Sequence, residues 1–160
     1  MNDRDLYLTR LDAELPAFLN VLGALPKDRL DYKPHDRSPS ASQLAWQLAS
    51  GHQGMVDFVE KGRFYSDKAP APDLATMIGI FEKSWTKIRD LVAKLDDEGW
   101  GRPGQLYFKD KLVMERPTGE FLWFVLYDAI HHRGQLSAYI RPMGGKVPSI
   151  YGPSADERPT

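Results

Sequence analysis

Residues 121–153 read FLWFVLYDAIHHRGQLSAYIRPMGGKVPSIYGP, and this stretch decides how the rest of the chain is taken. Leu122, Val125, Ala129, Leu136 and Tyr139 recur at helical spacing, which predicts one long helix with that face turned to a core. Asp128, His132 and Gln135 fall at i, i+4 and i+7, on or beside the same face. An acid and an imidazole one turn apart can converge on one ion or one substrate group, and once buried they need partners. Pro142 and Gly144-Gly145 stop the helix. The segment beyond holds Val147, Ile150 and Tyr151, too apolar for a free end, so it is expected to pack back on the helices.

Upstream, Thr118 after Pro117 is the expected N-cap of this last helix. Trp100–Pro117 lacks a helical period, and LYF and LVM flanking KDK read as two short extended segments, a hairpin with a poor two-residue turn. Before it, Leu74, Ile78, Phe81, Trp85, Ile88, Val92 and Leu95 alternate spacings of four and three. Glu82, Lys83, Lys87, Arg89 and Asp90 fill the other face, and Asp96-Asp97-Glu98-Gly99 ends this third helix. Residues 63–72 are read as a loop. The second helix starts at a capping box, Ser40 with Gln43, and stops at Lys61-Gly62. Its buried face holds Leu44, Leu48, Met55, Phe58 and Val59. Gln47 and His52 sit on opposite shoulders of that face, and periodicity alone does not choose which one points inward. Trp46 falls on the outer side, suited to a loop contact or a subunit interface.

The first helix, from about Asp3 to Leu22, carries Leu8, Leu11, Leu15, Phe18 and Leu22, with a kink expected at Pro16. The link Pro26–Pro39 has many charges and no period, and is long enough that the first two helices need not be antiparallel; His35 in it is read as solvated. The fold class that follows is all-α: a four-helix bundle over residues 1–160, with long first and third connections and a short β-like insertion before the last helix.

Composition narrows the chemistry. With 160 residues the chain is one domain. A formal charge of −1 gives no general attraction to nucleic acid or anionic membrane. The absence of Cys excludes disulfides, thiolate metal sites and a cysteine nucleophile. No window approaches the apolar length of a membrane span, and MNDRDLYLTRLDAEL has no signal-peptide core, so the expected location is the cytoplasm. No Ser–His–Asp arrangement, phosphate loop or dinucleotide fingerprint is present.

The run IHHRGQLSAYIR, with Pro and Gly after it and IYGPSADE beyond, closely resembles the DinB-like family of small helical bacterial proteins. The resemblance implies the same four-helix bundle. It also implies a divalent metal of the zinc or nickel class, held in that family by two histidines one turn apart on the last helix and one on the second helix. The matching positions are Asp128, His132 and Gln47, in LAWQ where the family commonly has LAWH, so one imidazole remains. A Gln amide oxygen is a poor zinc ligand, so weaker binding is expected. Were His52 rather than Gln47 to turn inward, it would join Asp128 and His132 in the two-histidine, one-carboxylate set of non-haem iron. His131 points about 100° from His132, to the surface or a subunit interface, and Arg133 is read as off the buried face. Gln135 is placed to orient the His132 ring. By resemblance the function is metal-dependent chemistry on a low-molecular-weight thiol such as bacillithiol or mycothiol, of the S-transferase or isomerase type. The rival reading is a non-catalytic ligand-binding or stress-related bundle that has lost the metal. A homodimer is expected, from the resemblance and from the outward aromatic residues.

Overall fold

Four long helices dominate the computed structural model, which describes residues 2–65 and 69–157: α1 Asp3–Gly23, α2 Ala41–Lys61, α3 Leu74–Val92 and, last, α5 Thr118–Ile140. A short α4 (Asp97–Gly101) and three strands, β1 Arg63–Tyr65, β2 Pro103–Phe108 and β3 Lys111–Pro117, complete the order. The expectation of an all-α chain is corrected by this sheet. Its hairpin β2–β3 is the one the alternation predicts, but β1 lies in what reads as a loop and pairs parallel to β2. Residues 66–68 of that expected loop lie outside the described residues, as do 158–160 of the tail.

The caps follow the sequence where a side chain is the capping group. Ser40 Oγ accepts from Gln43 N at 3.2 Å while Gln43 Oε1 accepts from Ser40 N at 2.8 Å, and Gly62 closes α2 in the left-handed region. Asp73 and Asp96 N-cap α3 and α4; α3 itself stops at Val92, earlier than expected, and Asp96 starts a new turn. Thr118 is not the cap of α5. Pro117 holds that position, and Thr118 donates both its N–H and its hydroxyl to the Arg102 carbonyl, which takes over the capping task. Pro16 lies inside α1, which does not break there.

Side-chain pairs fix the helix directions. Asp3 meets Trp123 and Glu14 meets Arg133, so α1 and α5 run parallel. Asp12 meets Arg89 and Phe18 meets Phe81, so α1 and α3 are antiparallel. Phe58 stacks on Phe121 and Gln47 touches His132, so α2 and α5 are antiparallel. His52 lies on Phe81 and Lys87 near Glu60, so α2 and α3 run parallel. Both α1 and α2 pack on α3 and on α5, which puts α1 and α2 across the core from each other. The link before α2 therefore crosses one end, where Ala41 and Ser42 donate to the Tyr32 and Leu30 carbonyls. The connection from α2 to α3 joins opposite ends of two parallel helices: β1 follows the end of α2, and Ala69 lies against Trp46 near its start. A 21-residue helix is about 31 Å long and a dozen extended residues reach about 40 Å, so the span is feasible.

The core between the helices is aromatic, with Phe18, Phe58, Phe81, Trp85 and Phe121 all at most 1% exposed. The sheet seals the end where α2 stops and α5 starts. There Gly104 lies so close to Phe58 that a Cβ would stand 2.2 Å from the ring, so β2 needs glycine at that point. Val147 and Ile150 of the tail pack on the core as expected.

Candidate functional site

Antiparallel packing of α2 against α5 sets Gln47 opposite His132. Gln47 Nε2 lies 2.8 Å from His132 Nε2, and Asp128 Oδ2 lies 3.3 Å from the same nitrogen. On its other side the ring is held by Gln135, whose Oε1 is 3.0 Å from His132 Nδ1. An amide oxygen only accepts, so Nδ1 carries the hydrogen and the Nε2 lone pair faces Asp128 and Gln47. The three side chains meet at a partly exposed site at the edge of the core: the His132 side chain is 15% exposed and that of Asp128 49%, and Gln47 is exposed.

The pair is electrostatically coupled. The hydrogen bond to His132 holds the Asp128 carboxyl below the usual carboxylate range. The same hydrogen bond raises His132 above the ordinary histidine value, against a smaller opposing effect of burial. Proton and cation therefore compete for one place, the space between Nε2 and Oδ2.

His52 does not join them. It is buried, with Nδ1 2.8 Å from the Leu48 carbonyl, and its ring stacks on Trp85 at 5.0 Å and meets Phe81 edge-on at 4.7 Å. It lines a cavity of about 10 Å³ with Tyr7, Met55, Leu122 and Val125. Burial pushes its pKa down to about 4, so it is neutral at ordinary pH. His131 is exposed and turns its ring edge to His132 at 5.3 Å. His35 is exposed in the first link, and Trp46 makes a loop contact, donating to the Ala69 carbonyl at 2.7 Å.

Arg133 overturns its sequence reading. It is 2% exposed, ion-paired to Glu14 of α1, and its guanidinium lies 4.6 Å from the Phe18 ring. The Tyr151 hydroxyl of the tail joins both, 2.9 Å from each Glu14 oxygen and hydrogen-bonded to Arg133. The buried charge is tolerated because every member of this group is paired. A signal for it exists in the sequence. Arg133 continues the line of Ala129, Leu136 and Ile140, and Glu14 sits between Leu11 and Phe18 on the apolar line of α1.

Among the described residues, no group of three His, Cys, Asp or Glu side chains is placed to hold a metal ion. The groups that do converge are one carboxylate, one imidazole and one neutral amide, which turns its Nε2 and not its oxygen to the ring. This set fits a weakly held divalent ion and does not fit a three-imidazole site.

The sequence model of the DinB family matches residues 1–159. The Bacillus subtilis protein YrdA is 22% identical over 155 residues, 96% of this chain and 90% of YrdA. Among solved structures, Bacillus subtilis YfiT, described as a probable metal-dependent hydrolase with an unusual four-helix bundle topology, superimposes with a TM-score of 0.67. The identity is 16%, over 88% of this chain and 87% of YfiT. A mycothiol-dependent maleylpyruvate isomerase superimposes with a TM-score of 0.61 at 9% identity, over 89% of this chain and 61% of the isomerase. At such identities the likeness to both structures is one of fold. No helix among the described residues is long and apolar enough to cross a membrane.

Proposed function

This chain belongs to the DinB family, and from that premise we propose that Asp128, His132 and Gln47 form a weak, exchangeable divalent-cation site in a metal-assisted enzyme with the family's four-helix bundle. The observation that carries the reading is the His132 ring itself: Gln135 fixes the hydrogen on Nδ1, leaving Nε2 aimed at the Asp128 carboxylate 3.3 Å away. Two electron pairs facing each other at that separation call for a proton or a cation between them. A bound divalent ion would lower the pKa of a thiol or water beside it, the chemistry that thiol transfer, isomerisation and hydrolysis share. The protein's own part is to orient His132 through Gln135, to supply charge from Asp128, and to leave the partly exposed site open to a small substrate. The names of YfiT and of the mycothiol-dependent isomerase support that class of reaction and select neither branch.

The test is calorimetric titration of protein purified without chelator or tag with Zn²⁺ and Ni²⁺. Binding is expected to be weak, and to fall by about 10-fold or more in Asp128→Ala and in His132→Ala. Gln47→His, which replaces the neutral amide with an imidazole, is expected to tighten it by at least about 100-fold. Absence of binding in both the natural chain and Gln47→His would sink the reading.

A second reading rests on a different contact. Gln47 Nε2 at 2.8 Å can donate to the His132 Nε2 lone pair, which satisfies that nitrogen without any ion. The chain is then a non-catalytic bundle of the family. In that case Asp128→Ala and His132→Ala change stability and leave no activity to lose in a thiol-conjugation or ester-hydrolysis screen.

A further inference from the structure

We propose that the space beside Gly51 receives the body of the substrate, and that this body is apolar and carries an anionic group; the proposal rests on the cation site at Asp128 and His132. Gln47 meets His132 and Phe58 meets Phe121, and equal stretches of α2 and α5 separate the two pairs. Gly51, one turn after Gln47, is therefore level with Asp128, one turn before His132. It lies on the side of α2 that faces α5, where a side chain would be the neighbour of the Asp128 carboxylate.

Glycine inside a helix destabilises it relative to alanine, so a mid-helix glycine calls for a reason. Gly54 has one within the chain: an added Cβ would stand 2.5 Å from the Phe64 ring, which packs where a side chain would be. Gly51 has none of that kind, because a Cβ there would meet no atom within 4 Å. Gly23, Gly79, Gly101, Gly134, Gly144 and Gly152 are equally open, but all six are exposed and face solvent. Gly51 is half-buried. Among the described residues it alone combines partial burial with unfilled room for a side chain, and that room adjoins the cation site.

The chemistry of the occupant follows from the residues that border this space toward the sheet. Phe64 of β1 and Phe124 of α5 both pack on Phe121, with ring centres 6.5 and 6.3 Å from it. Phe124 lies one turn from Asp128 and is 42% exposed. These rings make an apolar border for a flat or alkyl body. The Arg116 guanidinium lies 5.9 Å from the Phe124 ring. No carboxylate among the described residues pairs with it. A guanidinium held at an aromatic ring with no counter-ion suits a carboxylate or another anionic group on the ligand. The levels of Asp128 and Phe124 are about 6 Å apart along α5. The fitting substrate is thus a small molecule with its reacting group at the cation, an apolar segment over Gly51 and an anion at Arg116.

The probe is 3-phenylpropionate, an apolar ring with one carboxylate, and 3-phenylpropanol is its uncharged counterpart. In amide NMR titrations of the full chain without metal, 3-phenylpropionate should shift Gly51, Phe64 and Asp128. Gly51→Leu should weaken its binding by at least about 10-fold with an unchanged circular-dichroism spectrum, whereas Gly51→Ala should bind within about 3-fold of the natural chain. Arg116→Gln should weaken the acid by roughly 3-fold and leave the alcohol unchanged. This comparison keeps the test decisive should Gly51→Leu fail to fold. The cation site is read separately: Gly51→Leu should bind Zn²⁺ as the natural chain does. The probe needs no ion, so loss of zinc binding in every variant would sink the cation site and leave the ligand site standing. The proposal is overturned if 3-phenylpropionate leaves these amides unmoved at millimolar concentration, if folded Gly51→Leu binds it unchanged, or if Arg116→Gln weakens acid and alcohol alike.

Discussion

His52 carries a cost that depends on pH. Its ring is shut between Trp85 and Phe81 with Nδ1 committed to the Leu48 carbonyl, and burial brings its pKa down to about 4. The unfolded chain titrates this histidine at about 6.5. Below that value the unfolded state binds a proton that the folded state refuses, so folding stability falls as pH drops from about 6.5 and stops falling below about 4. The full difference is roughly 3 kcal/mol at about 1.4 kcal/mol per pH unit. Urea unfolding of the natural chain and of His52→Gln across this range should show a slope in the first that is reduced in the second; equal slopes would refute the assignment. What the sequence showed at this scale was uneven. Gln47 and His52 are equivalent on a helical wheel, and only packing against Trp85 separates them. The angle from His132 sets Arg133 off the buried face, whereas the line of Ala129, Leu136 and Ile140 carries it inward to Glu14.

At the scale of elements, α5 shows three faces to three surroundings. Leu122, Ala129 and Leu136 enter the core, Asp128 and His132 meet α2, and the Phe124–Ala138 line looks outward. Periodicity made the long helices and the side-chain caps at Ser40 legible, because each depends on residues close in sequence. It could not show β1, whose three residues become a strand only by pairing with β2 some forty positions on, nor the Arg102 carbonyl that caps α5. The hairpin turn shows the same limit from the other side. Lys109 and Asp110 both adopt positive φ, 48° and 61°, where neither has a strong preference. Replacing the pair by Asn-Gly should stabilise the protein by about 1 kcal/mol through relief of that strain. The urea midpoint measures it, and an unchanged or lowered midpoint would show that the turn is not strained.

For the whole molecule, the tie that matters most is the one joining its two ends. Glu14 of α1 and Arg133 of α5 form a buried ion pair, and the hydroxyl of the otherwise exposed Tyr151 of the tail bonds both. Glu14→Ala leaves the Arg133 charge buried with its carboxylate partner gone, and should cost about 3–5 kcal/mol. Tyr151→Phe keeps the ion pair and should cost about 1 kcal/mol. Equilibrium unfolding in urea distinguishes them; similar small losses from both would mean that water replaces the carboxylate. The up-and-down order of the helices was not legible either. The sequence allowed α1 and α2 to be parallel, and contacts between residues far apart in the chain, Asp3–Trp123 with Glu14–Arg133 and Phe58–Phe121 with Gln47–His132, set them antiparallel.

This clasp also sets a timetable for biosynthesis. Glu14 leaves the ribosome long before Arg133 and Tyr151 are made, and at about 5–20 residues per second the interval to Tyr151 is roughly 7–27 seconds. Over that time the nascent α1 holds an amphipathic surface whose carboxylate has no partner, next to Leu11 and Phe18 with nothing of α5 to cover them. The first helix therefore completes this side of its packing only when the last one arrives, although α3 can already cover Phe18 with Phe81 and Trp85.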